Sequence, residues 1–240
     1  MVTLKSRKGI TDSPHTLRTR RRTCEDDGVK APIPPWEPLS EPVLADQRGT
    51  YDRMRAACPV AESPRGVTLF RHADVVVAAA DPATFSSAVS ARRMVPNSLD
   101  QPEHTLFRAA IDPFFTPERM GALEPLVRRI AHEIIGALPR GATVDAVTEI
   151  GYPLAVRAQS DWLGWQGIED ELLVWMAENH AATRSRDRSR AVTVAAAFDD
   201  IVLAQVELRR RMGSAAPKDP TTELLAVTVN GRLLSDADIV

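Results

Sequence analysis

The segment that decides the fold lies near the middle of the chain and reads Asp100-Gln101-Pro102-Glu103-His104-Thr105-Leu106-Phe107-Arg108. Pro102 suits the first turn of a helix, where a missing backbone N–H is harmless, and Asp100 can cap that turn. His104 and Arg108 are four residues apart, so they share one face of the predicted helix. An imidazole and a guanidinium placed in this way can both donate hydrogen bonds to a carboxylate or a phosphate. By spacing alone, an ordinary solvated histidine and arginine is the simpler interpretation.

The composition is that of a globular protein. The chain has 240 residues, 44% of them hydrophobic, with 30 Lys and Arg against 32 Asp and Glu. A chain of this length buries a sizeable core without a metal or a disulfide framework. Cys24 and Cys58 lack the paired spacing of a zinc site and indicate a reducing compartment.

The longest stretch without a charged residue, 82–91, is too short for a transmembrane helix, and the chain does not start with an apolar signal segment. We therefore predict a cytoplasmic protein with no membrane partner.

The first 30 residues differ in charge from the rest of the chain. They carry eight basic residues, including the run Arg20-Arg21-Arg22, against four acidic ones. Such a run can contact nucleic acid or a membrane surface, but it is not accompanied by aromatic residues or by a periodic apolar pattern. We predict that residues 1–30 form a disordered basic arm outside the fold, and we expect no nucleic-acid partner.

The remaining chain is predicted to be mainly α-helical with a small β-sheet portion. Apolar residues recur at three- and four-residue spacing from Met120 to Leu138, after the helix-start signal Thr116-Pro117. Residues 60–62 and 67–70 indicate a two-stranded ribbon, and residues 86–99 indicate a long loop. Further helices are predicted over residues 44–57, 74–80, 102–115, 145–163, 168–182 and 190–212.

The end of the chain carries a helix-start signature without a helix behind it. Ser235-Asp236-Ala237-Asp238 combines a capping serine with acids in the first turn, but only Ile239 and Val240 follow. We therefore expect this chain to be the front part of a longer protein.

Other catalytic motifs are excluded by their spacing. His132-Glu133 resembles the start of a zinc-protease helix, but Gly136 stands where the second histidine is needed. The sequence contains no Gly-rich phosphate loop, dinucleotide fingerprint or nucleophile elbow. Hydrolase and nucleotide-binding functions therefore lose support.

Residues 100–119 resemble helix C and the start of helix D of the soluble bacterial type of cytochrome P-450, the heme-thiolate monooxygenases. The usual family form is Asp-Pro-Pro-Glu-His-Thr-Arg-Leu-Arg followed by Phe-Thr-Pro, which appears here as Phe115-Thr116-Pro117. Gln101 and Leu106 depart from the usual proline and arginine. Segments 67–75, 81–87 and 123–138 also resemble the family, and the resemblance covers about residues 35–240.

The resemblance implies the N-terminal half of the cytochrome P-450 fold, helices A to H, truncated at the start of helix I. Residues 31–240 would then be an incomplete cytochrome P-450 domain that binds heme b, with His104 and Arg108 hydrogen-bonded to the propionates. The oxygen-activating segment of helix I, the Glu-x-x-Arg motif and the axial Cys loop are expected beyond residue 240. Cys58 is interpreted as a small buried hydrophobe rather than a heme ligand. The chain alone is expected to be inactive.

The resemblance also implies a substrate pocket and partners. By position, Val89, Met94 and Val95 in the long loop and Met176 and His180 near a lid are pocket candidates. The run Arg184, Arg186, Arg188 and Arg190 is predicted to be a solvated loop tip. A small organic substrate, O2 and a ferredoxin-type or other redox partner are expected.

Three functions therefore remain open. The first is the N-terminal portion of a heme-dependent monooxygenase. This interpretation makes the full-length parent an enzyme and leaves open whether the 240-residue chain is one by itself. The second is a noncatalytic helical binding protein for an anionic small ligand, which heme stoichiometry would separate from the first. The third is a nucleic-acid-associated helical protein, which would need a salt-dependent DNA affinity carried by the basic arm.

Overall fold

The computed structural model describes residues 3–4, 36–63, 66–89, 92–185 and 187–240, with side chains from residue 36 onward. The chain divides into two compact units. The first comprises Met1–Arg93 and Asn97–His104, and the second comprises Met94–Pro96 and Thr105–Val240. In both units the described residues are mainly helical with small antiparallel sheets, as the sequence predicts.

The first unit contains a three-stranded antiparallel sheet in the order β1-β3-β2. Its strands are β1 (Thr3–Leu4), β2 (Val60–Ser63) and β3 (Gly66–Leu69). The pairing of β2 with β3 confirms the predicted ribbon, with Val60 opposite Leu69. Strand β1 pairs with β3, although residues 1–30 were predicted to lie outside the fold. The rest of the basic arm lies outside the described residues, so its disorder stays a prediction.

Three helices complete the first unit: α1 (Glu41–Ala45), α2 (Gln47–Ala57) and α3 (His72–Ala79). The helix predicted over 44–57 is therefore interrupted at Asp46, whose backbone leaves the helical region at φ −137°. Its carboxylate accepts a hydrogen bond from Gly49 N at 2.9 Å and so caps α2. In the buried core of this unit, Trp36 meets Phe70 edge to face at 4.7 Å and donates from Nε1 to Thr68 Oγ1 at 2.9 Å.

Cys58 belongs to this core, packed with Val43, Met54 and Ala61. Its burial confirms the prediction of a small buried residue. The sulfur takes part in a disulfide bond, however, which corrects its interpretation as a simple hydrophobe and does not fit the reducing compartment predicted from the two cysteines. Cys24, the other cysteine of the chain, lies outside the described residues.

Helix α4 (Glu103–Ile111) spans the boundary between the units and runs into a 3-10 turn, Asp112–Phe115. The helix predicted within 102–115 is short, as Pro113 near its end indicates, because this proline falls in the 3-10 turn and cannot continue the α-helical hydrogen bonds. The next helix, α5 (Pro117–Ala137), begins where the sequence predicts. Thr116 caps it by accepting a hydrogen bond from Arg119 N at 3.3 Å.

The second unit continues with a π-helical turn at Val147–Gly151 and three long helices. These are α6 (Tyr152–Leu163), α7 (Glu169–Ser185) and α8 (Arg188–Met212). A 3-10 turn (Gly213–Ala215), α9 (Pro220–Leu224), the hairpin β4 (Thr228–Val229) and β5 (Arg232–Leu233), and α10 (Asp236–Ile239) follow. The capping box of α10, formed by Ser235 and Asp238, confirms the helix-start signature.

The core of the second unit is formed by α6, α7 and α8. Its buried apolar residues are Val156, Trp165, Leu172, Ile201, Val202 and Val206. Trp165 Nε1 donates to Thr221 Oγ1 at 2.8 Å, and this hydroxyl donates to Leu163 O at 2.7 Å, so α9 is tied to the end of α6. None of the helices in the described ranges combines the length and the apolar run needed to cross a bilayer.

Candidate functional site

His104 stands in the first turn of α4, where its side chain is partly buried. Its backbone N–H donates to Asp100 O at 2.9 Å, the first helical hydrogen bond of this segment. Its ring atom Nδ1 lies 3.5 Å from Gln101 Nε2. If the amide donates to Nδ1, the other ring nitrogen carries the proton and can donate to a ligand.

Asp100 ties the long loop to the start of α4. Its carboxylate accepts hydrogen bonds from Ser86 Oγ at 2.6 Å and from Ser87 N at 2.8 Å. The sequence predicts Asp100 as a helix cap, whereas these contacts are made with the loop that precedes the helix by more than ten residues. A second link joins Arg93 Nη2 to Glu103 Oε1 at 2.8 Å. The loop is therefore anchored at the helix that carries His104.

Arg108 follows His104 by one helical turn, and its side chain is half exposed. Its Nε lies 2.6 Å from Asp112 Oδ1, an ion pair between residues four apart. The two outer amino groups have no partner among the residues that the structure describes. Asp112 therefore orients the guanidinium through Nε and leaves its outer edge for a second carboxylate, which such an edge binds through two parallel hydrogen bonds.

Together the two side chains form a candidate anion-binding face on α4. Four residues of α-helix rise about 6 Å, so the imidazole and the guanidinium can serve two neighbouring carboxylates or two sides of one anion. In their chemistry, an imidazole and a guanidinium are suitable donors for carboxylates such as the propionate groups of a heme. They are not a metal-ligand set, and the described residues contain no group of three or more His, Cys, Asp or Glu side chains arranged around a common point.

The pocket candidates of the long loop are only partly buried. Val89 is 48% exposed and lies in the first unit, whereas Met94, 44% exposed, and the partly buried Val95 belong to the second. The described part of 86–99 contains neither helix nor strand, which confirms the predicted loop. Ser90 and Ala91 lie outside the described residues.

The two candidates on α7 have structural contacts of their own. Met176 packs against the core of the second unit. His180, one turn further along, shares a hydrogen bond between its Nδ1 and the hydroxyl of Tyr152, and the two rings lie 5.1 Å apart. Tyr152 was not singled out from the sequence, because a contact between α6 and α7 leaves no local signal. A role for Met176 and His180 toward a substrate stays a prediction.

The loop that contains the arginine run is shorter than predicted. Helix α7 extends to Ser185 and α8 begins at Arg188, because Asp187 caps α8 by accepting from Ser189 N at 2.9 Å and from Arg190 N at 3.1 Å. Arg190 Nη2 then pairs with Glu178 Oε2 at 2.9 Å across the two helices. Arg190 is thus a helical residue and not part of a loop tip, while Arg186 lies outside the described residues.

The start of α10 is held by two ion pairs that the sequence did not reveal. Arg232 Nη1 lies 2.7 Å from Asp238 Oδ2, and this buried carboxylate also accepts from Ser235 N at 2.9 Å. Arg210 hydrogen-bonds Asp236, which lowers the pKa of that carboxyl below its ordinary value. The capping serine and acids were readable from the sequence, but their arginine partners were not.

No family model matches the chain. Among curated proteins, it is 30% identical over 191 residues to the cyclomarin C epoxidase CymV of Salinispora arenicola, a match that covers 72% of this chain and 47% of the epoxidase. It is 32% identical over 141 residues to the erythromycin C-12 hydroxylase of Saccharopolyspora erythraea, covering 54% of this chain and 35% of the hydroxylase. A cytochrome P-450 of Bacillus spizizenii is 26% identical over 201 residues, or 79% of this chain and 49% of that protein. The chain spans half the length or less of these curated relatives.

Solved structures give the same picture. The ligand-free cytochrome P-450 TbtJ1 superposes with a TM-score of 0.70 at 29% identity, covering 84% of this chain and 54% of that chain. A mutant of the cytochrome P-450 EryK in complex with erythromycin B superposes with a TM-score of 0.69 at 25% identity, covering 82% and 53%. The helices and small sheets described above therefore correspond to about half of such a structure, consistent with its N-terminal portion.

Proposed function

This chain belongs to the cytochrome P-450 family, and from that premise we propose that His104 and Arg108 bind the propionates of heme b in a bacterial-type monooxygenase. The observation that supports the proposal is the arrangement of Arg108 and His104 on α4. Arg108 is oriented by Asp112 through Nε, so its outer amino groups are available to a carboxylate. His104 adds a second donor one helical turn away.

The proposed role of this chain is to bind and orient the cofactor. When bound, heme supplies the redox-active iron that activates O2, so that one oxygen atom enters an organic substrate. His104 and Arg108 would hold its carboxylates, and Asp112 would fix the guanidinium. The contacts of Asp100 with Ser86 and Ser87 would keep the long loop next to the helix that carries these ligands.

We propose that the substrate binds beside the long loop and α7. Val89, Met94 and Val95 would line it from the loop, and Met176 and His180 from α7. Two of the relatives are named as a cyclomarin C epoxidase and an erythromycin C-12 hydroxylase, and both names point to an organic substrate, so we propose a small organic substrate for the parent enzyme. We further propose a ferredoxin-type or similar electron donor.

A heme-thiolate monooxygenase would also need a cysteine to hold the heme iron through its thiolate. The chain has two cysteines, Cys24 and Cys58, and neither stands in a Phe-x-x-Gly-x-x-x-Cys segment. Cys58 is buried and disulfide-bonded. We infer that the activity belongs to a longer parent protein and that residues 1–240 alone do not oxidise a substrate.

The proposal is tested on the gene and its product. The gene and its transcript are sequenced past the codon of Val240, and the encoded protein is expressed and its heme content per chain measured. We expect an in-frame continuation with a Glu-x-x-Arg motif and a Cys loop, and one heme per chain. The variant Arg108→Gln should lose heme more readily in a transfer assay to apomyoglobin, whereas Arg128→Gln, in an exposed pair on α5, should not.

Two results would contradict the proposal. A stop codon directly after Val240 would leave no cysteine to hold the heme iron, and the chain would instead fit a noncatalytic helical protein that binds an anionic small ligand on α4. Heme loss at the same rate from Arg108→Gln and Arg128→Gln would remove Arg108 from the cofactor site.

A further inference from the structure

A surface groove runs between α7 and α8 in the second unit, with a volume of about 510 Å³. Its floor is apolar and built largely from small side chains, including Val194, Ala197, Ile201 and Ala204. A volume of this size lies within the range of small-molecule sites, which are typically apolar with a few polar groups. The groove is therefore large enough for a ligand of one or two rings.

The groove lies on a different face of α7 from the proposed substrate contacts. Glu171, Trp175 and Glu178 recur at four- and three-residue spacing and line the groove. Met176 and His180 lie roughly on the opposite side of the same helix, against the core and Tyr152. A ligand in the groove would therefore occupy a separate site from the substrate of the proposed monooxygenase.

Trp175 provides a rigid aromatic wall. Its Nε1 donates a hydrogen bond to Val194 O at 2.9 Å, and its ring stacks on Phe198 at 4.3 Å with an interplanar angle of 28°. Since both contacts hold the indole in place, a ligand would not have to order it on binding. An indole is the aromatic group that attracts cations most strongly.

The charged residues along the groove are all acidic. Glu171, Glu178 and Asp200 line it, and no lysine or arginine does. Glu178 is neutralised in part by Arg190 at 2.9 Å. Glu171 and Asp200 form no ion pair or hydrogen bond with any side chain in the described part of the molecule. The groove therefore combines an apolar floor with two uncompensated carboxylates, one from each helix.

We propose that this groove binds an organic cation with an apolar body, of the type of an aryl quaternary ammonium. The hydrocarbon part would cover the apolar floor, and the positive charge would be attracted by Glu171, Asp200 and the indole of Trp175. An anion of the same size would be repelled by the carboxylates. The proposal does not depend on heme binding by α4.

The test is a calorimetric titration of the 240-residue chain with benzyltrimethylammonium at low ionic strength. Benzenesulfonate serves as the anionic probe of similar size. We expect binding of the ammonium only, and a Kd about tenfold higher in the double variant Glu171→Gln/Asp200→Asn, since each exposed charge contributes a few-fold. The matched control is Asp170→Asn, which removes an exposed charge next to Glu171 but outside the groove, and it should bind like the wild type.

A second variant tests the groove itself rather than its charge. Ala197 is exposed in the floor, so Ala197→Phe fills the groove while circular dichroism verifies that the helices are retained. We expect this variant to abolish ammonium binding. Equal binding of benzenesulfonate, or unchanged binding in both groove variants, would overturn the proposal. It would also be overturned if sedimentation showed a dimer that these variants dissociate, because the groove would then be an interface between copies of this chain.

Discussion

Arg209 Nη2 lies 2.9 Å from Asp219 Oδ2, and the two side chains are only 3% and 8% exposed. The same guanidinium donates to Gly164 O at the end of α6, and the other carboxylate oxygen of Asp219 accepts from Thr222 N at 2.7 Å in the first turn of α9. One buried ion pair thus joins the ends of α6 and α8 to the start of α9. Because both charges are satisfied by several hydrogen bonds, the pair can be buried without leaving an uncompensated charge.

Asp219→Asn should destabilise the chain strongly. The substitution keeps the size of the side chain but leaves the buried charge of Arg209 without a counterion, and breaking such a pair typically costs about 3–5 kcal/mol. Urea unfolding monitored by circular dichroism measures the loss. Glu124→Gln, which breaks the exposed pair with Arg128, should change the free energy of unfolding by less than about 1 kcal/mol. Similar losses in the two variants would contradict the structural role of Arg209 and Asp219.

Gly164→Ala should be more destabilising than Gly141→Ala. Both glycines have a left-handed backbone, with φ of +77° and +78°, so both variants incur the same backbone strain. At Gly164 the added methyl would overlap the Asp219 carboxylate and lie 2.8 Å from Arg209 Nη2, whereas nothing lies within 4 Å at Gly141. We expect an additional loss of about 1–3 kcal/mol at Gly164 from overpacking, measured by thermal unfolding. Equal losses of stability in the two variants would mean that Asp219 and Arg209 can move aside for the added methyl group at no cost.

Asp145 should make the stability of the chain depend on pH in the acidic range. Backbone hydrogen bonds from Thr148 and Val147, both at 2.9 Å, lower the pKa of this carboxyl below its ordinary value. A lowered pKa in the folded state stabilises the fold above the unfolded pKa of about 4, and this contribution is lost as the pH falls through the folded pKa. Asp145→Asn should therefore lose less stability than the wild type between neutral pH and pH of about 3. The same reduction in Asp170→Asn would show that the effect is not specific to Asp145.

Tyr152→Phe should weaken the packing of α7 on α6. The variant keeps the ring next to His180 but removes the hydroxyl that is hydrogen-bonded to Nδ1, and a hydrogen bond of this kind contributes about 0.5–1.5 kcal/mol. Tyr51→Phe is a suitable control because the Tyr51 hydroxyl accepts from Gln47 Nε2 at 3.2 Å in an exposed position. Unfolding in urea compares the two, and an equal or larger loss in Tyr51→Phe would refute the assignment.

Local signals predicted the elements that local hydrogen bonds determine. Thr116 and Pro117 marked the start of α5, and the capping serine and acids marked the start of α10. The predicted helix boundaries were wrong where a single capping side chain, and not the apolar periodicity, determines where a helix begins. Asp46 separates α1 from α2 by capping the second helix, and Asp187 starts α8 two residues earlier than the apolar periodicity indicates.

The sequence by itself determined the candidate anion-binding face, because His104 and Arg108 are related by the helical repeat, a property of the local backbone. Only the tertiary structure decided which of three consecutive arginines is buried. Arg209 is buried against Asp219, whereas its neighbour Arg210 is exposed and pairs with Asp236. These residues are alike in sequence, and their difference arises from the side of α8 on which each one lies and from the distant segments that pack there. The same long-range packing of α7 and α8 creates the acidic groove, whose residues have no common motif.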